Sequence, residues 1–166
     1  MSVSEQHRHR GRAHLKLAVI TASDSRTPAS DDSGRLIREL LEQAGHIVAH
    51  YEILPDSPER IRAAVNDNLP RLDGVIITGG TGITERDSTI EALRALLNKE
   101  LEGFGELFRM LSYQEIGSAA FLSRALAGTA YGKLVVALPG SPNACRLAME
   151  KLLLPELGHI AHLLKL

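Results

Sequence analysis

The chain has 166 residues, 19 Lys plus Arg against 20 Asp plus Glu for a formal net charge of −1, 44% hydrophobic residues and no Trp. One domain's length of chain can bury a core without staples, and the single Cys145 excludes an internal disulfide and any multi-thiolate zinc or iron–sulfur site. Near-neutral charge argues against a domain that lives on nucleic acid, and no apolar run reaches the ~18 residues of a membrane span, so a soluble protein in a reducing cytoplasm is expected.

Residues 1–14, MSVSEQHRHRGRAH, are polar and basic with no apolar stretch behind them to read as a signal peptide. They are expected to form a flexible basic arm ahead of a single domain over residues 15–166. Four short Val/Ile-rich segments, 15–21, 46–54, 73–79 and 133–138, are bounded by Gly, Pro or Asp as strands are. Between them the apolar period is helical. Leu36, Ile37, Leu40, Leu41 and Ala44 form a stripe that ends at Gly45. Ile61, Ala64 and Val65 follow Ser57 as N-cap with Pro58 at the first helical position. Ile90, Leu93, Leu96 and Leu97 follow Ser88, which stands in capping-box spacing with Glu91. Phe104, Leu107, Phe108 and Leu111 begin at Gly103, and Leu147, Ala148 and Leu152 repeat the cap-then-proline signature at Ser141 and Pro142. A last helix runs over 156–164. Residues 112–132 fit a short helix, a turn and a minor hairpin. Strand and helix in alternation predict an α/β fold, a mostly parallel sheet with helices on both faces.

In such a sheet ligands bind beyond the carboxyl ends of the strands, which directs attention to four loops: TASDSR, LPDSP, TGGTGITERDST and LPGSPNA. The third follows a buried strand directly, and Gly79, Gly80 and Gly82 remove side chains where backbone amides would approach a phosphate or ring. The same cluster is also compatible with a plain turn; it is neither a Walker A sequence nor a dinucleotide fingerprint. Asp87 reads either as a first-turn acid favoured by the helix dipole or as a holder of magnesium against a phosphate. Asp56 occupies the equivalent place after the preceding strand, and convergent acids beside a glycine loop point to metal-assisted phosphoryl or nucleotidyl chemistry. Ser23 and Asp24 add a third polar loop. Ser141 is most simply an N-cap and Cys145 a core residue.

Taken together, GGTGITERDST with LPD upstream, GFGELFRMLS and LSRALAG between, and LPGSPNA downstream resemble the MoaB/MogA family of molybdopterin-binding proteins over nearly the whole chain. The resemblance implies a three-layer α/β/α sandwich and a reaction in which the terminal phosphate of molybdopterin attacks the α-phosphate of ATP, giving adenylylated molybdopterin and pyrophosphate. It implies that Asp56 and Asp87 are the essential acids and hold Mg2+. It further implies that Gly79, Gly80, Thr81, Gly82, Pro139, Gly140, Ser141, Pro142 and Asn143 line the pocket, with Ser123 on the pterin side. Two polyanions in one pocket need cations as well as amide donors, which nominates Arg86 and Arg124. Ile90 stands where the adenylyltransferases have proline, which points to the MoaB branch, while retention of Arg86 and Asp87 favours activity. The resemblance also implies a homohexamer, with a trimer as alternative, and the molybdenum insertion enzyme as a further partner. A non-catalytic molybdopterin-binding protein and an oligomeric scaffold presenting the pterin are the competing readings.

Overall fold

A computed structural model describes residues 14–166; the expected basic arm therefore lies outside the described residues except for His14. The order is β1 (Lys16–Ala22), α1 (Asp32–Gln43), β2 (Ile47–Leu54), α2 (Pro58–Asn68), β3 (Gly74–Thr78), α3 (Thr89–Arg94), β4 (Lys99–Glu100), α4 (Glu102–Ile116), a 3-10 segment (Gly117–Leu122), β5 (Leu126–Ala130), β6 (Lys133–Leu138), α5 (Pro142–Ala148), a π turn (Met149–Leu153) and α6 (Leu154–Leu164). The six strands form one sheet in the order β2-β1-β3-β6-β5-β4. β2, β1, β3 and β6 are parallel neighbours, whereas β5 runs antiparallel to both β6 and β4.

Alternation along the central strands makes the fold three-layered. Leu17, Val19, Ile76, Leu134 and Val136 face a core completed by Ile37 and Leu41 of α1, Phe108 of α4 and Leu157 of α6. Ala18, Ile20, Val75, Ile77, Val135 and Ala137 face the opposite way, against Ile61 and Val65 of α2 and Leu93 of α3. Strands buried on both faces cannot alternate polar with apolar residues, which is why these segments read as near-continuous apolar runs. The mostly parallel three-layer α/β/α sandwich expected from the sequence is the observed fold. Among the described residues no helix is long and apolar enough to cross a membrane.

Caps largely follow the sequence. The Ser57 and Ser141 side chains accept the amides of Arg60 and Ala144, each with proline in the first turn, and Gly45 takes φ +87° just past α1. Ser88 does not cap: its side chain makes no bond to the first turn of α3, and Glu91 pairs with Arg124 instead of closing a capping box. The minor hairpin is a full part of the sheet, since β5 and β6 pair across Tyr131 and Gly132, both at positive φ as a two-residue hairpin turn requires. The last two helices are continuous through the π turn, which ends just before Pro155, a residue with no N–H to give. Of the apolar helix residues, Phe108 and Leu153 are buried in the core, whereas Leu107 is exposed.

Candidate functional site

Chain direction creates the crevice. From β1 the chain steps outward to β2 through α1, then returns across β1 to β3, so the loops after β1 and β3 leave toward opposite faces of the sheet. A cleft at such a switch point is the usual ligand site of open α/β sheets. Here it has a volume of about 560 Å3 and is lined by residues 21–26, Asp31, Ser33, Asp56, Thr78, Gly79, Gly80, Thr84, Arg86, Asp87 and Gly140.

The glycine loop is shaped by what it presses against. Gly79 and Gly80 have φ of +95° and +61°. A Cβ on Gly80 would stand 2.5 and 2.6 Å from the two carboxylate oxygens of Asp56, and closer still to the Thr89 hydroxyl. A Cβ on Gly82 would stand 2.6 Å from Oδ2 of Asp87. The missing side chains therefore admit to one loop two carboxylates, from the ends of β2 and β3, which flank β1 in the sheet; the sequence placed them at neighbouring strand ends, but β1 lies between them.

The two acids are held differently. Asp56 Oδ1 accepts from the Ser88 hydroxyl at 3.1 Å, and the Asp56 amide donates to Asp24 Oδ1 at 3.2 Å. Desolvation raises the Asp56 carboxyl above its ordinary value, and the negative charges of Asp87 and Asp24 add to that rise against the opposing Ser88 bond. Asp87 Oδ2 accepts from both the amide and the hydroxyl of Thr84, at 2.9 and 2.6 Å; the hydroxyl bond is the main reason its carboxyl lies below its ordinary value. Arg86 is largely exposed and reaches Asp24 Oδ2 at 3.4 Å.

Other expected residues take varied places. Ser23 accepts the amides of Ser25 and Arg26, fixing the loop after β1. Thr81 is buried and does not line the cleft. Arg124 donates to the Gly82 carbonyl at 2.9 Å and pairs with Glu91, so it fastens the glycine loop to α3 rather than standing free for a phosphate. Ser123 is half-buried and also off the cleft wall. The Pro139 carbonyl accepts from the Thr78 hydroxyl at 2.8 Å, and Gly140 closes the wall, with Ser141, Pro142 and Asn143 exposed beside it. Sequence reasoning missed Asp31. This buried carboxylate accepts from Thr21 Oγ1 at 2.6 Å, Tyr51 Oη at 2.7 Å and the Gly34 amide at 2.9 Å, tying the start of α1 to β1 and β2. The Ser33 hydroxyl then donates to the Gly140 carbonyl at 2.8 Å, bridging α1 to the loop after β6. Asp31 in the DDSG string carried an N-cap signal, as an acid at a helix start.

Among the described residues no group of three or more His, Cys, Asp or Glu side chains could hold a metal ion. Two carboxylates are nevertheless enough for Mg2+, which commonly takes one or two acids and completes its shell with substrate phosphates and water.

Residues 18–159 match the family described as "Probable molybdopterin binding domain" of molybdenum cofactor biosynthesis. The chain belongs to this family. It is 54% identical to molybdenum cofactor biosynthesis protein B of Bacillus anthracis over 163 residues, covering 96% of each chain. The tungsten cofactor synthesizing protein MoaB of Pyrococcus furiosus superposes with a TM-score of 0.82 at 40% identity, covering 92% of this chain and 98% of that one. The molybdopterin biosynthesis Mog protein of Mycobacterium ulcerans gives 0.78 at 29% identity, covering 92% and 96%. The family's MoaB and Mog members thus share this fold.

Proposed function

We propose that the cleft is a molybdopterin adenylyltransferase site. The observation that carries this reading is the approach of Asp56 and Asp87, from the loops after β2 and β3, to Gly80 and Gly82 of a single loop. Two carboxylates facing polyanionic substrates would repel them unless a divalent cation lay between. The acids fit Mg2+: Thr84 occupies only Oδ2 of Asp87, and Ser88 occupies Oδ1 of Asp56, so each retains an oxygen turned to no hydrogen-bond donor among the described side chains. Bound there with Mg–ATP, the ion would neutralise charge developing on the phosphates.

The chain's own groups position the reactants. Gly79 and Gly80, free of side chains, let the loop backbone lie along a phosphate, and Arg86 at the rim offers a guanidinium once drawn from Asp24. An oxygen of the molybdopterin terminal phosphate attacks the α-phosphorus of ATP; the new P–O bond forms as the bond to the β-phosphate breaks, and that electron pair leaves with pyrophosphate. The nucleophile is a phosphate anion, so no side chain needs to remove a proton. Catalysis then consists of alignment and charge neutralisation. Incubation with molybdopterin, ATP and Mg2+ tests the reading: pyrophosphate and adenylylated molybdopterin are expected, and retained pterin binding with no pyrophosphate would select the non-catalytic alternative.

We further propose that the working form is a homo-oligomer, a hexamer or else a trimer, supported by the apolar groove of about 420 Å3 between α4 and the π turn, where Leu101 and Leu107 are exposed. The molybdenum insertion enzyme would receive its product.

A further inference from the structure

Five hydroxyls around the cleft are paired as donors. Thr21 donates to Asp31, Ser33 to the Gly140 carbonyl, Thr78 to the Pro139 carbonyl, Thr84 to Asp87 and Ser88 to Asp56. Thr89 is fully buried, and its Oγ1 has no hydrogen-bond partner among the described residues. Burying an unpaired hydroxyl is disfavoured relative to an apolar group of the same shape, so a sealed and unpartnered Thr89 hydroxyl needs a reason. Its location supplies one. Thr89 and Asp56 flank Gly80 from two sides: the Thr89 amide donates to the Gly80 carbonyl at 2.9 Å, and the missing Cβ of Gly80 marks a point that the Thr89 hydroxyl and both Asp56 oxygens all crowd. Only the space left by the missing side chain of Gly80, at φ +61°, lies between donor and acceptor. Because Thr89 Oγ1 is sealed from solvent, it does not itself touch a substrate.

We propose that Thr89 is a positioning residue, whose hydroxyl donates to Asp56 when the glycine loop settles around bound nucleotide, so that Ser88 and Thr89 together fix the carboxylate. The inference rests on the adenylyltransferase reading of the cleft. Ser88 holds the carboxylate from one side only, through its hydroxyl and its amide; a donor from the next residue of the same helix start holds it from the Gly80 side as well. The glycine is what permits the adjustment, since a side chain at position 80 would fill the space through which the hydroxyl must reach.

The test uses the full chain with Thr89→Val, which keeps the shape, and Thr89→Ser, which keeps the donor. Thr89→Val is expected to melt no lower than the parent while losing at least tenfold in kcat for pyrophosphate release, with KM for ATP changed less than threefold. Thr89→Ser restores kcat to within about threefold. The carboxyl carbon of Asp56, followed by NMR on adding Mg–ATP, is expected to shift in the parent and in Thr89→Ser, and to shift less in Thr89→Val. Equal kcat and equal shifts in all three proteins would overturn the proposal. If Thr89→Val does not fold, Thr89→Ala takes its place under the same criteria. Should the parent release no pyrophosphate, the adenylyltransferase reading fails, and the NMR comparison with Mg–ATP still decides whether Thr89 acts on Asp56.

Discussion

At the carboxyl ends of β1, β2, β3 and β6 hydroxyls donate across loops far apart in sequence, as from Ser33 to the Gly140 carbonyl and from Ser88 to Asp56. The antiparallel side of the sheet is finished differently. Beyond β5 lies only the two-residue β4, and α4 with the segment after it leaves Leu107, Met110, Tyr113 and Phe121 in solvent. Aligned loops at a parallel switch point create a polar cleft of small-molecule size, whereas a short edge strand covered by one helix leaves apolar surface suited to another macromolecule. On the proposed function, chemistry and assembly would use opposite sides of one sheet, and variants on one side should spare the other.

The largest effect is expected at the acids. Asp87→Ala and Asp56→Ala should each lower kcat/KM for adenylyl transfer on the order of a thousandfold or more, with a stability cost of about 1 kcal/mol or less because both sit at loop-to-helix junctions. The double variant should be no worse than the worse single one if both acids serve one transition state. Pyrophosphate release checks this; full activity in either single variant, or strictly multiplicative losses, would separate the acids from a shared role.

Paired glycine substitutions sharpen the contrast. Gly80→Ala meets both a positive φ and the oxygens of Asp56 and Thr89, so it should cost on the order of 1–3 kcal/mol and reduce activity per folded molecule by tenfold or more. Gly132→Ala, at φ +73° in the β5–β6 turn with open space around the added methyl, should show the conformational strain alone and full activity. Melting curves and assays on the folded fraction distinguish them, and an active Gly80→Ala protein would reduce the loop to a turn.

On the apolar side, light scattering of the parent is expected to give three or six times the 18.0 kDa chain. Leu107→Asp should shift that distribution toward smaller species while nucleotide affinity in the cleft changes less than threefold. A monodisperse monomer for the parent would remove the argument for assembly through this face.

Much of this was readable from residues whose roles are local. Proline after serine marks the starts of α2 and α5, and the buried strands announce themselves by unbroken apolar runs. The same local logic misassigned Ser88, whose capping-box partner Glu91 is taken by Arg124, thirty-three residues away, and whose hydroxyl goes to Asp56, thirty-two residues back. Arg124 read as a phosphate ligand because its loop-fastening partner, the Gly82 carbonyl, carries no sequence signature. β4 was illegible for a different reason: two exposed residues, Lys99 and Glu100, have no alternation to detect and become a strand only because β5 offers them an edge.

The smallest predicted effect separates the two acids by sign. Burial, reinforced by Asp87 and Asp24, raises the Asp56 carboxyl above its ordinary 3.8, so the folded protein binds that proton more tightly than the unfolded chain does. Ionised Asp56 is therefore a net cost at neutral pH, and the cost disappears as pH falls from above the raised value to below the ordinary one. Asp87 is the reverse: the Thr84 hydroxyl lowers its carboxyl, so its contribution is present in full above 3.8 and is lost only as pH falls through the lowered value. Asp56→Asn should accordingly raise the denaturant midpoint at pH 7 and lose that advantage toward pH 4, while Asp87→Asn should lower the midpoint at both. Both carboxylates are partly solvated, which limits each change to below about 1 kcal/mol. If the two variants moved the pH 7 midpoint in the same direction, the acids would not be held in the opposed environments that burial gives Asp56 and the Thr84 hydroxyl gives Asp87.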